Sequence, residues 1–292
     1  MARSAEELSQ RQDELSREFG EEITLDALTR ELVIYQRRRG HRHSTDDLLT
    51  AWYAVVHAPP SPSRLLDLGS GIGGVGLAVL SRFPQATLTA VEVQRVSFAL
   101  LTENVRANQL ETRVDLQHGD LRELAAEIPF DLITASPPYF AVKDGLVSAD
   151  SQRAAARFEL HGGVDDYCAT AARALAPEGR FIFCFPTPQS ARAVAACEQA
   201  GLQVLAMRDV VPRATLPPLF SLFACARHAE RPTVEEPALP ATGGARRRGA
   251  LVEEPALPAT GGARRRGALV EEPALPATGG ARRRGALVEP RG

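Results

Sequence analysis

A glycine-rich loop between an apolar strand and an apolar helix constrains this fold more than any other feature. Residues 65–68 (Leu-Leu-Asp-Leu) predict a buried strand, residues 69–74 (Gly-Ser-Gly-Ile-Gly-Gly) a loop, and residues 75–83 a helix that stops at Pro84. Glycines allow the positive φ angles of a tight turn and let a ligand approach the backbone at the helix N-terminus. The segment therefore predicts the opening strand and ligand-binding turn of an α/β domain.

Predicted strands and helices alternate through the rest of this domain. Further strands are expected at residues 87–93, 113–117, 130–135 and 180–185, separated by helices at 96–108, 165–176 and 188–200. Such alternation indicates a mainly parallel sheet with helices on both faces. A closing antiparallel pair of strands is predicted at residues 202–211 and 219–226, because the connection between them, around Pro212, Pro217 and Pro218, is tight. The expected fold is an α/β domain with a seven-stranded sheet.

Composition divides the chain into three parts. Residues 1–61 form an N-terminal extension that is charged and predicted to be helical over its first 27 residues. Residues 62–230 form the α/β domain. Residues 231–292 contain three identical copies of the 18-residue unit VEEPALPATGGARRRGAL. Each unit has two prolines, three glycines and few apolar residues, so the tail is expected to be disordered.

Charge and cysteine content limit the partners and the compartment. The net charge is only −2, although the tail carries 11 Arg against 7 Glu and would add weak, salt-sensitive RNA affinity. The four cysteines form no CxxC pair, which predicts buried free thiols in a reducing cytosol and no metal site. No apolar run suits a membrane span or a secretory signal. A cytoplasmic, monomeric protein without membrane contact is expected.

Acidic residues stand at the ends of three consecutive predicted strands. Asp67 precedes the glycine loop, Glu92 follows Gly71 by 21 residues, and Asp120 follows the third strand. A carboxylate at the position of Glu92 accepts hydrogen bonds from ribose hydroxyls in many nucleotide-binding domains. Purely structural roles for Asp67 and Glu92 are the alternative.

The loop resembles the S-adenosylmethionine loop of class I methyltransferases, in which an acidic residue precedes the glycines. The resemblance implies a Rossmann-like class I methyltransferase fold and S-adenosylmethionine as the cofactor. In that family an acidic residue at the position of Asp120 contacts the adenine amino group of the cofactor. The residues implied in cofactor binding are Asp67, Gly69, Ser70, Gly71, Gly73, Glu92 and Asp120.

A second motif, Ser136-Pro137-Pro138-Tyr139, follows the predicted strand at residues 130–135. The prolines lack N–H donors and end the strand, so a hydroxyl and an aromatic ring lie at the ligand-binding edge of the sheet. The motif resembles that of methyltransferases acting on planar nitrogens, such as adenine N6, cytosine N4 and glutamine amides. The resemblance implies that Ser136 and the Pro137 carbonyl accept hydrogen bonds from the amine, while Tyr139 stacks on the base for roughly 1–3 kcal/mol. Pro137-Pro138 as a simple strand end is the alternative.

Further segments resemble the bacterial valine tRNA adenine-N6 methyltransferases, which modify the adenine 3′ of the anticodon. The matching segments span residues 22–230 and include Tyr35-Gln36, Thr45-Asp46-Asp47-Leu48-Leu49, residues 156–159, 172–180 and 211–213. One departure is Ser136, where the family has asparagine; serine is shorter but keeps an acceptor oxygen. The resemblance implies methylation of adenine N6 in tRNA.

The residues expected to contact the tRNA substrate are Arg38, Arg39, Arg42, Arg157 and Glu159. The first three belong to a basic segment, residues 37–43, for which a solvated turn is the alternative to phosphate contact. A surface salt bridge is the alternative for Arg157 and Glu159.

Three other functions remain open on the sequence. Methylation of a protein glutamine amide, or of another base, shares the planar-nitrogen chemistry. A nicotinamide oxidoreductase would use the glycines and Glu92 but leaves Ser136-Pro137-Pro138-Tyr139 without a role. An RNA-binding protein without catalysis would rely on the arginine-rich tail, so removal of residues 231–292 separates it from an enzyme.

Overall fold

The computed structural model describes residues 3–125, 127–140, 150–212, 216–227 and 233–241. Its strands are β1 Ile23–Ala27, β2 Val33–Arg37, β3 Arg64–Leu68, β4 Thr87–Glu92, β5 Val114–His118, β6 Phe130–Ala135, β7 Leu175–Pro186, β8 Leu202–Val211, β9 Phe220–Arg227 and β10 Val234–Pro240. Its helices are α1 Ala5–Phe19, α2 Thr45–His57, α3 Gly74–Arg82, α4 Arg95–Ala107, α5 Ser151–Arg157, α6 Val164–Ala174 and α7 Ser190–Gln199.

Strands β3 to β10 form one mixed sheet in the order β10-β8-β9-β7-β6-β3-β4-β5. The strands from β3 to β7 pair in parallel, and β9 runs antiparallel to both β7 and β8. The predicted α/β class, the mainly parallel sheet and the closing antiparallel pair are confirmed. The chain reverses its lateral direction between β3 and β6, where open α/β sheets form their ligand crevice.

Helices cover both faces of the sheet and bury a core on each. On one face Tyr53 of α2, Leu77 of α3 and Leu101 of α4 are fully buried. On the other face α6 and α7 pack over an aromatic row in which Phe183 lies between Phe181 and Phe223, with ring centroids 4.9 and 4.8 Å apart. Burial on both sides holds the strands in place, and with them the loops at their carboxyl ends.

The N-terminal extension differs from the prediction of a solvated helix up to residue 27. Helix α1 ends at Phe19, because Gly20 adopts φ 66° and caps it, and the hairpin β1–β2 follows. Leu15 is 1% exposed, so the extension is packed against the domain. Asn104 of α4 fixes the hairpin, since its side chain exchanges hydrogen bonds of 2.6 and 3.1 Å with the backbone of Tyr35.

The tail also departs from its prediction where it joins the sheet. Disorder is expected from residue 231, but Val234–Pro240 forms the eighth strand, β10, parallel to β8. The two prolines are tolerated because β10 is an edge strand and its register shifts between Glu236 and Leu239, around Pro237. Glu236 adds an anchor, since its carboxylate lies 3.3 Å from His57 and 3.6 Å from Arg208. Residues 242–292 lie outside the described residues.

Two elements have other limits than expected. Helix α6 ends at Ala174 and β7 begins directly at Leu175, so the strand starts five residues before its predicted position. Helix α5 is not predicted at all. The four cysteines are buried and free, as predicted.

Two features are absent from the residues that the structure describes. No helix among them is long and apolar enough to cross a membrane. Nor do three His, Cys, Asp or Glu side chains gather there as a metal site requires.

Candidate active site

A cleft of about 1040 Å³, open to solvent, lies at the carboxyl ends of β3, β4 and β6. Most residues predicted for the cofactor and for catalysis line it: Asp67, Gly69, Ser70, Gly71, Glu92, Ser136, Pro137, Pro138 and Tyr139. Gly73 and Asp120 are not among the lining residues, although Gly74, Gly119 and Leu121 are. The structure therefore brings both sequence motifs to one cavity.

The glycine loop depends on backbone conformations that other residues avoid. Gly69, Gly71 and Gly73 have φ angles of 64°, 57° and 95°. A Cβ added at Gly69 would lie 2.3 Å from the Tyr167 hydroxyl, whereas one at Gly71 would meet nothing within 4 Å. Gly69 thus makes room for Tyr167 of α6, and Gly71 leaves the cleft open beside the backbone.

Asp67 braces the loop against its neighbours. Its Oδ1 accepts a 2.6 Å hydrogen bond from Thr134 of β6, and its Oδ2 accepts one of 3.2 Å from the Gly76 amide of α3. The residue is only 2% exposed, and this burial raises its pKa to about 6. Asp67 lines the cleft, and each of its carboxylate oxygens accepts a hydrogen bond from the protein itself.

Glu92 faces the loop from the end of β4. Its Oε2 accepts the Gly71 amide at 2.8 Å and its Oε1 accepts the Gln94 amide at 2.7 Å. Burial raises its pKa, because the side chain is only 4% exposed. Each carboxylate oxygen has a second lone pair, so Glu92 can accept two further hydrogen bonds from hydroxyl donors in the cleft.

Asp120 stands at the third strand end, as expected, but is engaged with a neighbour. Its carboxylate accepts hydrogen bonds of 2.9 Å from the amide and from Nε of Arg122. These bonds hold the pKa of Asp120 below its usual range. Its contact with a cofactor stays a prediction.

The Ser136-Pro137-Pro138-Tyr139 motif is held by side chains from distant segments. The Tyr139 hydroxyl donates a 2.8 Å hydrogen bond to Asp46 Oδ2, from the first turn of α2. The Cys184 sulfur of β7 lies 3.4 Å from both the Ser136 and the Tyr139 hydroxyl oxygens. The Gln189 amide group donates a 2.8 Å hydrogen bond to the Tyr139 carbonyl. Tyr139 is therefore fixed at both its ring end and its backbone.

The start of α2 places a second acidic residue in the cleft lining, beside Gly74 of α3. Asp47 accepts a 3.0 Å hydrogen bond from the Ser44 amide and is 9% exposed. Burial, and next the charge of Asp46, raise its pKa to about 8. Asp47 therefore holds its proton more tightly than an ordinary carboxyl group does.

The residues predicted to contact substrate do not line the cleft. Arg38 pairs with Glu22 at 2.7 Å, Arg42 with Asp26 at 3.0 Å, and Glu159 with Arg192 at 2.6 Å. The Arg157 guanidinium lies 5.7 Å from the Phe140 ring centre, and Arg39 is exposed. Contact of these five residues with a substrate stays a prediction.

Other lining residues were not predicted from the sequence. Tyr167 comes from α6, and His41, His43 and His161 come from loops. Burial lowers the pKa of His41 and of His43. In the sequence, His41 and His43 belong to a basic segment and Tyr167 to a predicted helix, and neither context indicates a position in a cleft.

The chain is similar to proteins of a known family. Residues 54–196 match the model of the methyltransferase small domain family. A tRNA1(Val) (adenine(37)-N6)-methyltransferase of Porphyromonas gingivalis is 32% identical over 144 residues, or 48% of this chain and 56% of the relative. The protein of that name from Phocaeicola vulgatus is 30% identical over 176 residues, or 60% of this chain and 72% of the relative.

The coverage of the relatives varies. The chain spans 56% of the Porphyromonas gingivalis protein and 62% of one from Dyadobacter fermentans. Solved structures share the fold at low identity. A predicted O-methyltransferase from Agrobacterium tumefaciens is 20% identical with a TM-score of 0.51, over 67% of this chain and 87% of that one.

Proposed function

The chain belongs to the tRNA1(Val) (adenine(37)-N6)-methyltransferase family, and from this premise we propose that it methylates the exocyclic N6 of an adenine in tRNA. The observation that carries the proposal is one cleft lined by both Glu92 and Ser136-Pro137-Pro138-Tyr139. We further propose that the substrate is the adenine beside the anticodon of a valine tRNA, and that it is modified in the cytoplasm.

The cofactor half of the cleft suits S-adenosylmethionine. Gly71 leaves its backbone open to a ligand, and Glu92 is a buried acceptor with lone pairs for the two ribose hydroxyls. The Glu92 carboxylate is buried, so hydroxyl donors in the cleft suit its free lone pairs. When bound, S-adenosylmethionine supplies an electrophilic methyl group on a positively charged sulfur.

The acceptor half suits an amine attached to a planar ring. The lone pair of such an amine is delocalised into the ring, so the nitrogen is a weak nucleophile. The Ser136 hydroxyl oxygen and the Pro137 carbonyl accept hydrogen bonds from its two N–H groups, which favours a pyramidal nitrogen and frees the lone pair. Holding this nitrogen in one orientation supplies much of the acceleration.

Tyr139 completes the pocket for the base. Its hydroxyl is tied to Asp46, so the ring keeps a fixed plane against which a base can stack. The reacting adenine must leave any base stack to enter the cleft, which favours an unpaired anticodon-loop nucleotide.

The test is incubation of the full chain with labelled S-adenosylmethionine and total tRNA, followed by nucleoside mass analysis. N6-methyladenosine in a valine tRNA is the expected product. Label in protein alone would overturn the RNA substrate and favour a glutamine amide, which the same planar-nitrogen chemistry serves.

The tail provides a separate control. A chain that ends after Ala241 keeps β10 and loses the arginine triplets of the repeats. Retained methylation is expected. Loss of all RNA affinity together with activity would instead favour an RNA-binding role for the tail.

A further inference from the structure

Serine in place of asparagine poses a chemical problem at position 136. An asparagine side chain presents a carbonyl oxygen that only accepts hydrogen bonds, whereas a serine hydroxyl both donates and accepts and rotates freely. A hydroxyl that points its proton at the substrate amine would oppose the amine's own N–H groups. Ser136 serves as an acceptor only if its proton is directed elsewhere.

Three part-buried contacts give that proton a direction. The Tyr139 hydroxyl has one proton and donates it in a 2.8 Å hydrogen bond to Asp46 Oδ2. The Tyr139 oxygen is then an acceptor toward Cys184, whose sulfur lies 3.4 Å away. The thiol has a single proton, so its sulfur in turn accepts from Ser136 at 3.4 Å, and the Thr50 hydroxyl is a second donor group beside the sulfur.

From this proton count we propose that Cys184 and Asp46 are positioning residues that turn the Ser136 hydroxyl into a pure acceptor for the substrate amine. The three hydrogen bonds point in one direction: Ser136 O–H donates to Cys184, Cys184 S–H donates to Tyr139, and Tyr139 O–H donates to Asp46. Both lone pairs of the Ser136 oxygen then remain for the cleft.

The surroundings of Cys184 protect these hydrogen bonds. Cys184 is 0% exposed, so water does not compete for its sulfur. Burial raises the pKa of Cys184 to about 12, and the thiol therefore keeps the proton that it donates. The catalytic consequence rests on the proposed function, while the direction of the hydrogen bonds does not.

Infrared spectroscopy of the full-length protein tests the direction without any reaction. The S–H stretching band of Cys184 is isolated by subtracting the spectrum of Cys184→Ala. We expect Tyr139→Phe to shift this band toward that of a free thiol, because the acceptor is lost. Ser136→Ala should leave it near its original position. The opposite pair of results, a shift in Ser136→Ala alone, would overturn the proposal.

Kinetics test the consequence with labelled cofactor and tRNA. Cys184→Ala should lower kcat about tenfold, the upper range for one hydrogen bond, with KM for the cofactor unchanged. Cys184→Ser retains a donor and an acceptor and should restore most of the rate. In a Ser136→Ala background, Cys184→Ala should cost less than about twofold more, because it acts through Ser136. Fully additive losses would mean that Cys184 only packs the core, and would overturn the proposal.

The two proposals fail separately. If the wild-type protein methylates no RNA but the S–H band shifts in the variants as expected, the proposed function is contradicted and the proton direction is supported. An active enzyme with the reversed band response contradicts only the proton direction.

Discussion

The two halves of the cleft are built in different ways. The cofactor half is held largely through the backbone. Gly69 and Gly71 have positive φ angles, and backbone amides donate hydrogen bonds to Glu92 and Asp67. The acceptor half is held by side chains from afar, since Asp46 lies 93 residues from Tyr139. The cofactor half therefore tolerates little change of backbone, and the acceptor half depends on individual polar groups.

The sharpest division between the halves is expected from Ser136→Ala combined with Tyr139→Ala. Methyl transfer should fall by more than about 100-fold, because both the hydrogen-bond acceptor and the stacking surface are lost. Calorimetry should find the affinity for S-adenosylmethionine within about threefold of wild type. A parallel loss of cofactor affinity would show that the halves are not separate.

The backbone character of the cofactor half predicts a large cost for one methyl group. Gly69→Ala should lower the free energy of unfolding by about 3 kcal/mol, since it adds strain at φ 64° and a clash with Tyr167. Gly20→Ala is the matched control, because φ is 66° and nothing lies within 4 Å. It should cost about 1 kcal/mol in urea unfolding. Equal losses would leave Tyr167 without a part in the effect.

Glu92 is the side chain on which the cofactor half most depends. Glu92→Ala should weaken S-adenosylmethionine binding about 30-fold in calorimetry, as expected for lost hydrogen bonds to a charged group. Glu111→Ala removes an exposed carboxylate outside the cleft and should leave the affinity unchanged. An unaltered affinity in the Glu92 variant would contradict the assignment of the cofactor site.

Stability should depend on pH through Asp47, which lines the cleft beside Gly74 of α3. Asp47 has a raised pKa in the folded state, so the stability it supports is complete below the unfolded value near 4 and is lost as pH rises toward 8. Asp67 acts likewise, but only up to about pH 6. Between pH 6.5 and 7.5 the free energy of unfolding should therefore fall by about 1 kcal/mol.

Substitution assigns this pH dependence to its source. Asp47→Asn should flatten the decline between pH 6.5 and 7.5, because its amide does not ionise. Asp13→Asn, on the exposed face of α1, should preserve it. A decline that persists in the Asp47 variant would place its origin elsewhere.

The same contrast explains what the sequence could predict. Glu92 and the glycine loop follow from strand ends and spacing, which are local patterns. Ser136-Pro137-Pro138-Tyr139 is equally local. Asp46 and Cys184 meet that motif only because α2 and β7 pack around it, and no spacing rule predicts such a contact. The sequence patterns therefore predicted Glu92, the glycine loop and the Ser136-Pro137-Pro138-Tyr139 motif, but not Asp46 and Cys184, which hold that motif in place.

The wrong predictions have physical causes of the same kind. Charged residues continue past Phe19 and suggested one long helix, but the cap at Gly20 ends it, and β1 is stabilised by pairing with β2. The prolines of the tail suggested disorder, but an edge position at β8 admits them. In each case a partner strand decided the structure.

The position of β10 within the repeats has a genetic consequence. The 18-residue unit begins at Val234, which is also the first residue of β10. Loss or gain of whole units through replication slippage joins Thr233 to another identical Val-Glu-Glu-Pro-Ala-Leu-Pro segment. Every residue that pairs with β8 is preserved as long as one unit remains. Copy number in this gene can therefore drift without mutation of the sheet, and selection on tail length is uncoupled from selection on the fold.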